Sequence, residues 1–286
     1  MHRLSHFSYD ITSQSGEDGM IAELLRELEL ERGRCVEFGA WDGKHLSNTW
    51  DLWKNRGWYA LLIEANPRRF EALQSEATGR SVKPICTRVG WEGQQRLDAI
   101  LAQNEFPPDF DVLSIDIDGD DFRVWRATTS RPKIVVIEYN SSFSPDVKFA
   151  QENGAFTGSS AASFVDLAKD KGYVLVGLTI VNLIFVREDL VGELSIEIVS
   201  LDELFDRSWL PIVYSDFAGV HHLIKSGQWP YSGMRVDIGS SRVTGPLKSA
   251  LLVRPLRWAV RHDLPLAEAL VRHSRKAYRS TEQSLE

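Results

Sequence analysis

The stretch "GYVLVGLTIVNLIFV" (Gly172 to Val186) is the longest apolar run in the chain, and its interruptions decide how it must be read. Thr179 and Asn182 break it, and it falls short of the ~20 apolar residues that cross a bilayer. It divides instead into two strands, "YVLVGLT" and "NLIFVRE", with only Ile180 and Val181 between them. A parallel crossover needs about a dozen residues or more, so these two strands pair antiparallel as a hairpin.

Upstream of that hairpin, short β-branched runs alternate with segments of helical period. The strands are "RCVEFGA", "WYALLIEA", "SVKPICT", "FDVLSIDI" and "KIVVIEYN". Helices are expected at 45–56, 67–76, 94–103, 121–128 and 160–171, with Asn66 as a cap and Pro67 in a first turn. This alternation predicts an α/β fold, a parallel sheet covered on both faces, and the reversed hairpin makes it seven-stranded and mixed. Residues 1–190 form the expected main domain. Residues 191–286 form a C-terminal extension packed on it, ending in a helical segment interrupted by Pro255 and Pro265.

A formal net charge of -7 argues against a nucleic-acid partner, whose footprint is basic. The tail from Arg242 to Glu286 differs, with nine Lys/Arg against four Asp/Glu, and reads either as a solvated helical face or as a contact to an anionic membrane surface or acidic partner. Cys35 and Cys86 each lie in a run that reads as a core strand, which implies no disulfide framework and fits a reducing cytoplasm. The start, "MHRLSHFSYDITSQSGEDG", lacks the apolar core of a signal peptide. A homo-oligomer is among the expected assemblies.

The first strand runs into "VEFGAWDGKHLSNT", where Gly39 and Gly43 follow a strand and precede a helix, the setting in which a glycine loop admits a nucleotide. A dinucleotide site carries G-x-G-x-x-G, and here the middle glycine is missing and Trp41 intervenes. Glu37, just before the loop, repels a pyrophosphate and suits a cationic ligand bearing an amino group and a sulfonium. Glu64 ends the second strand, where a carboxylate accepts from a ribose diol. NAD and S-adenosylmethionine share that last feature; Glu37 and the loop spacing favour the methyl donor. The rivals are an NAD(P)-dependent oxidoreductase and a non-catalytic binding protein of the same fold.

The blocks "SQSGEDGMI", "CVEFGAWDGKHLSNTW", "GWYALLIEANP", "DVLSIDIDGDDFRVW", "VVIEYN" and "VNLIFVRED" together resemble the FkbM-type class I S-adenosylmethionine-dependent methyltransferases over Ser13 to Asp189. The resemblance implies a Rossmann-like sheet of order 3-2-1-4-5-7-6 with strand 7 antiparallel. It also implies O-methylation of a sugar or glycan hydroxyl. On it, Gln14, Glu17 and Asp18 pack over the donor, and Glu37, Gly39, Trp41, Gly43, Glu64, Ala65 and Asp116 line it. Many members carry D-x-E-G at the fourth strand, whereas this chain has "DIDGDD".

Strand ends gather Glu37, Glu64, Asp116, Asp118, Glu138 and Asn140 at the edge where open α/β sheets bind ligands. In an extended segment Asp116 and Asp118 share a face, about 7 Å apart, and repel each other unless a proton or cation is shared. Three roles are open to them. With Glu138 and Asn140 they offer hard oxygen ligands to Mg²⁺ or Mn²⁺; one of them acts as the base for a hydroxyl; or they cap the following helix. Asp120 and Asp121 read as capping residues and Asp111 as a solvent-facing strand start. His45, at a helix start beside the loop, is a candidate base or substrate contact. His221 and His222 give a weak metal signal.

Overall fold

The structure is a computed structural model that describes residues 2–151, 157–210, 212–215 and 221–224. It divides into two compact units, Met1–Leu210 and Pro211–Glu286. In the second unit the described part is an antiparallel pair, Ile212–Ser215 with His221–Ile224. The proline-interrupted tail lies outside the described residues.

The first unit is built on β1 (Arg34–Phe38), β2 (Tyr59–Glu64), β3 (Val82–Cys86), β4 (Val112–Ile115), β5 (Ile134–Glu138), β6 (Tyr173–Leu178) and β7 (Asn182–Arg187). Their order in the sheet is β3-β2-β1-β4-β5-β7-β6. All neighbours pair in parallel except β7, which runs antiparallel to both β5 and β6, as the length of the hairpin connection requires.

Alternation along the strands splits the core in two. Val36 and Phe38 of β1 and Val135 and Ile137 of β5 join one apolar cluster, and Cys35, Ile134 and Val136 join the other. Helices α1 (Glu17–Glu27), α2 (Trp50–Lys54) and α3 (Pro67–Ala77) cover the second face through Leu24, Trp53 and Leu73. The first face is covered by α4 (Leu97–Gln103), α5 (Asp121–Ala127) and α6 (Ala161–Asp170), through Ile100, Trp125 and Phe164. Asn66 caps α3 by accepting from the backbone of Arg68 and Arg69, with Pro67 in the first turn. Residues 191–210 belong to this unit: Ile196 bridges to His2, and Ser200 and Glu203 form a capping box on α7 (Leu201–Leu204).

Several expectations need correction. The helix expected at 45–56 begins only at Trp50, because Ser47, Asn48 and Thr49 spend their donors on Glu37 instead of continuing a helix. His45 therefore sits in an exposed turn, its N–H donating to Asp42. Cys86 ends the edge strand β3 and is exposed, whereas Cys35 is buried. Asp111 is buried, and its carboxylate accepts from the Arg34 backbone N–H at 2.8 Å and from Lys133 Nζ at 2.5 Å, tying β1, β4 and β5 together where they begin.

A hydrogen bond to a charged group contributes about 1.5–3 kcal/mol. Asp111→Ala is therefore expected to lower the free energy of urea unfolding by about 2 kcal/mol at constant m-value. A change within ~0.5 kcal/mol would mean that this tie is solvated in solution.

Candidate functional site

The order of an open α/β sheet reverses between β1 and β4, and the loops leaving those two strands meet there. Gly39 ends β1 at φ +78°, and a Cβ on it would stand 1.6 Å from the Asp116 carbonyl oxygen. Only glycine permits this approach of backbone to backbone. In open α/β sheets the crevice at such a reversal is where ligands bind; here Gly39 and Trp41 belong to the loop on its β1 side and Asp116 to Asp118 to the loop on its β4 side. Gly39, Trp41 and Ala65 are exposed along it. Trp41 is held at φ +49°, with the Arg69 guanidinium 3.3 Å from its ring centre and the His45 ring 5.2 Å away.

Four of the expected donor ligands are occupied within the fold. Glu37 is 5% exposed; its carboxylate accepts from Ser47 Oγ, Thr49 Oγ1 and the Asn48 N–H, and burial still raises its pKa despite these bonds. It holds the 44–49 loop to β1. Glu17 accepts from Thr179 Oγ1 and Asn182 Nδ2, fastening α1 to the hairpin. Asp18 accepts from the N–H groups of Ile11, Thr12 and Ser13 and from Ser13 Oγ. Glu64 accepts from Trp41 N–H at 2.8 Å and Asn66 N–H at 2.7 Å, so it shapes the crevice by fixing the loops after β1 and β2. Gln14 is exposed beside this loop, and Gly43 is buried at φ +84° against Leu73.

The acids of the fourth and fifth strands behave differently. β4 ends at Ile115, and Asp118 adopts φ +58°, so the chain turns where an extended segment was expected. The turn brings oxygens of Asp116, Asp118 and Glu138 within 4.8 Å of one another. Asp121, expected as a helix cap, folds back to accept from Ile117 N–H and Gly119 N–H and so braces that turn. Asp120 occupies the cap position without a capping bond and pairs with Arg88 at 3.6 Å. Asn140 belongs to the following loop, its Nδ2 donating to the Thr157 carbonyl and its Oδ1 accepting from Ser142 N–H. Two members of the edge escaped sequence reasoning: Ser114, which accepts from Asn48, and Asn182, whose signal was a polar residue breaking an apolar run.

Burial pushes the Asp116 carboxyl up to about 8, with the charges of Asp121 and Asp118 adding to it. Asp121 rises to about 7, again chiefly through burial, against the lowering effect of its backbone donors. Burial and the Asp116 charge raise Glu138. Such a group of acids stores a preference for positive charge, in the form of protons or of a cationic ligand.

No protein-family model matches the chain, and none of the curated proteins matches it. Solved structures do. The chain is similar to M. capricolum TrmK in complex with S-adenosylhomocysteine, at 12% identity over 58% of this chain and 67% of that one, with a TM-score of 0.38. A TehB-like S-adenosylmethionine-dependent methyltransferase from Corynebacterium glutamicum is 13% identical over 64% of this chain and 92% of that one, with a TM-score of 0.38. CalS10, an amino pentose methyltransferase from Micromonospora echinaspora, is 12% identical over 60% and 90%, with a TM-score of 0.38. Across eight such structures, coverage of their length runs from 52% to 98%. Likeness at this level carries no residue's role from those proteins to this one.

The raised carboxyls fix a sign for the pH dependence of stability. Between about pH 4 and pH 8 the unfolded chain releases protons that Asp116 retains when folded, so stability falls as pH rises through that window and levels above it. Carboxyls held low, such as Glu76 hydrogen-bonded by Lys54, contribute their stability once the pH exceeds 4.5 and do not reverse this trend above it. Thermal melts from pH 5 to pH 8 are expected to show a falling Tm, and Asp116→Asn to flatten the fall. A Tm that rises over this range in the wild type and variant alike would contradict the assignment.

Proposed function

We propose that the chain is an S-adenosylmethionine-dependent O-methyltransferase acting on a hydroxyl of a sugar or glycan. The observation that carries the reading is the meeting of the β1 and β4 loops at the reversal of strand order, beside the Gly39 turn, with Asp116, Asp118 and Glu138 gathered at that edge. The donor set fits a cationic nucleoside better than a dinucleotide, because Asp116 and Asp118 would repel a pyrophosphate and attract a sulfonium. The sequence blocks that resemble FkbM-type methyltransferases lie on the elements that build this crevice, and they support the sugar or glycan as acceptor.

Bound S-adenosylmethionine supplies an electrophilic methyl group on a positively charged sulfur. The chain's own residues do the rest. Trp41 offers an exposed aromatic face to the adenine, held in place by Arg69 and by its N–H bond to Glu64. Glu64 and Ala65 border the ribose. Asp116 stands where the acceptor hydroxyl loses its proton, as its base in the metal-free chain. Asp118, exposed at the turn, attracts the sulfonium and orients the acceptor. His45 packs on Trp41 and contributes to the outer wall.

Calorimetry with S-adenosylhomocysteine tests the reading. The wild type is expected to bind it, and Trp41→Gly, which tolerates φ +49° and removes the stacking face, to weaken binding by about tenfold or more. Transfer of labelled methyl to a polysaccharide extract, lost in Asp116→Asn, is the matching activity readout. Binding of NADH with none of S-adenosylhomocysteine would overturn the proposal.

A further inference from the structure

The acidic wall has a polar neighbour that lacks a donor. Asn182 opens β7 directly across from Glu138 in the antiparallel register, so the two side chains stand next to each other on one face of the sheet. Asn182 is 2% exposed. Its Nδ2 donates to Glu17 Oε1 at 3.0 Å, which fixes the orientation of the amide. The other end, Oδ1, is buried and has no hydrogen-bond donor among the described residues. Buried amide oxygens are nearly always paired, and an exception calls for a ligand or a water.

The carboxylates beside it have the complementary need. Oxygens of Asp116, Asp118 and Glu138, drawn from two adjacent strand ends, lie within 4.8 Å of one another, the spacing at which one ion can touch all three. Hard oxygens of this kind select Mg²⁺ or Mn²⁺ over softer metals. Mg²⁺ surrenders its hydration shell reluctantly and keeps several waters. A water polarised by a divalent ion is a strong donor, and a buried amide oxygen without a donor is the acceptor it requires.

We propose that Asp116, Asp118 and Glu138 bind one divalent cation of the Mg²⁺ or Mn²⁺ class, and that Asn182 Oδ1 accepts from a water of its shell. Glu17 orients Asn182 for this through the bond to its Nδ2, so the N-terminal helix supports the ion site from behind. Its role in ordering the acceptor hydroxyl rests on the methyltransferase reading, but binding of the ion does not.

Mn²⁺ binding to the full chain, followed by electron paramagnetic resonance without any nucleoside, tests the site separately from S-adenosylhomocysteine calorimetry in chelator. One Mn²⁺ per chain is expected, displaced by excess Mg²⁺ and lost in Asp118→Asn, an exposed position where the change leaves folding intact. Asn182→Ala is expected to weaken Mn²⁺ binding by about tenfold. Thr179→Ala, which removes the other donor to Glu17 Oε1 and keeps the bond from Asn182, is expected to leave it within about twofold. No saturable Mn²⁺ binding by the wild type, or equal binding by Asp118→Asn, overturns the ion site. Equal losses in Asn182→Ala and Thr179→Ala overturn the part assigned to Asn182. Nucleoside binding without metal binding would overturn this proposal and leave the methyltransferase reading standing.

Discussion

A carboxylate removed from water needs donors around it, and the supply of donors along the C-terminal edge of this sheet shapes everything near it. Where the donors are ample the acid becomes a fastener. Glu37 gathers the 44–49 loop, Asp18 gathers the backbone of residues 11–13, and Glu17 clasps the hairpin through Thr179 and Asn182. At Asp116, Asp118 and Glu138 like charges crowd together instead, and burial with that crowding raises the pKa values of Asp116 and Glu138. The first group builds the walls of the crevice, and the second gives it an electrostatic preference.

The two groups are coupled through the fold. Glu64 bonds to Trp41 and Asn66, so the same carboxylate that closes β2 sets the aromatic wall and the cap of α3. Asp121 braces the turn that brings Asp118 round to Asp116. Gly39 lets the β1 loop touch the Asp116 carbonyl, and without that contact the two halves of the sheet would not frame a common crevice. Loss of one of these ties is therefore felt at the site even where no ligand touches it.

The sheet could be read from the chain because strand alternation and connection length are local quantities. Seven apolar runs and one connection too short for a crossover give the reversed β7. The fate of individual acids is not local. Glu17 is committed to a threonine 162 residues away, and nothing near "SGEDG" signals it. Ser47, Asn48 and Thr49 look like the start of a helix until Glu37 is seen to claim their donors. The spacing of Asp116 and Asp118 reads as one face of an extended strand, but the left-handed turn at Asp118 and the across-strand partnership of Glu138 with Asn182 depend on tertiary register.

On this reading Asp116, Asp118 and Glu138 share one ligand space with the exposed Trp41. A crystal soaked with S-adenosylhomocysteine and Mn²⁺ tests it most directly. Nucleoside density is expected between Trp41 and Ala65, with an anomalous peak beside Asp116, Asp118 and Glu138. Nucleoside density elsewhere on the chain, or an intact crevice that stays filled with water at saturating ligand, would contradict it.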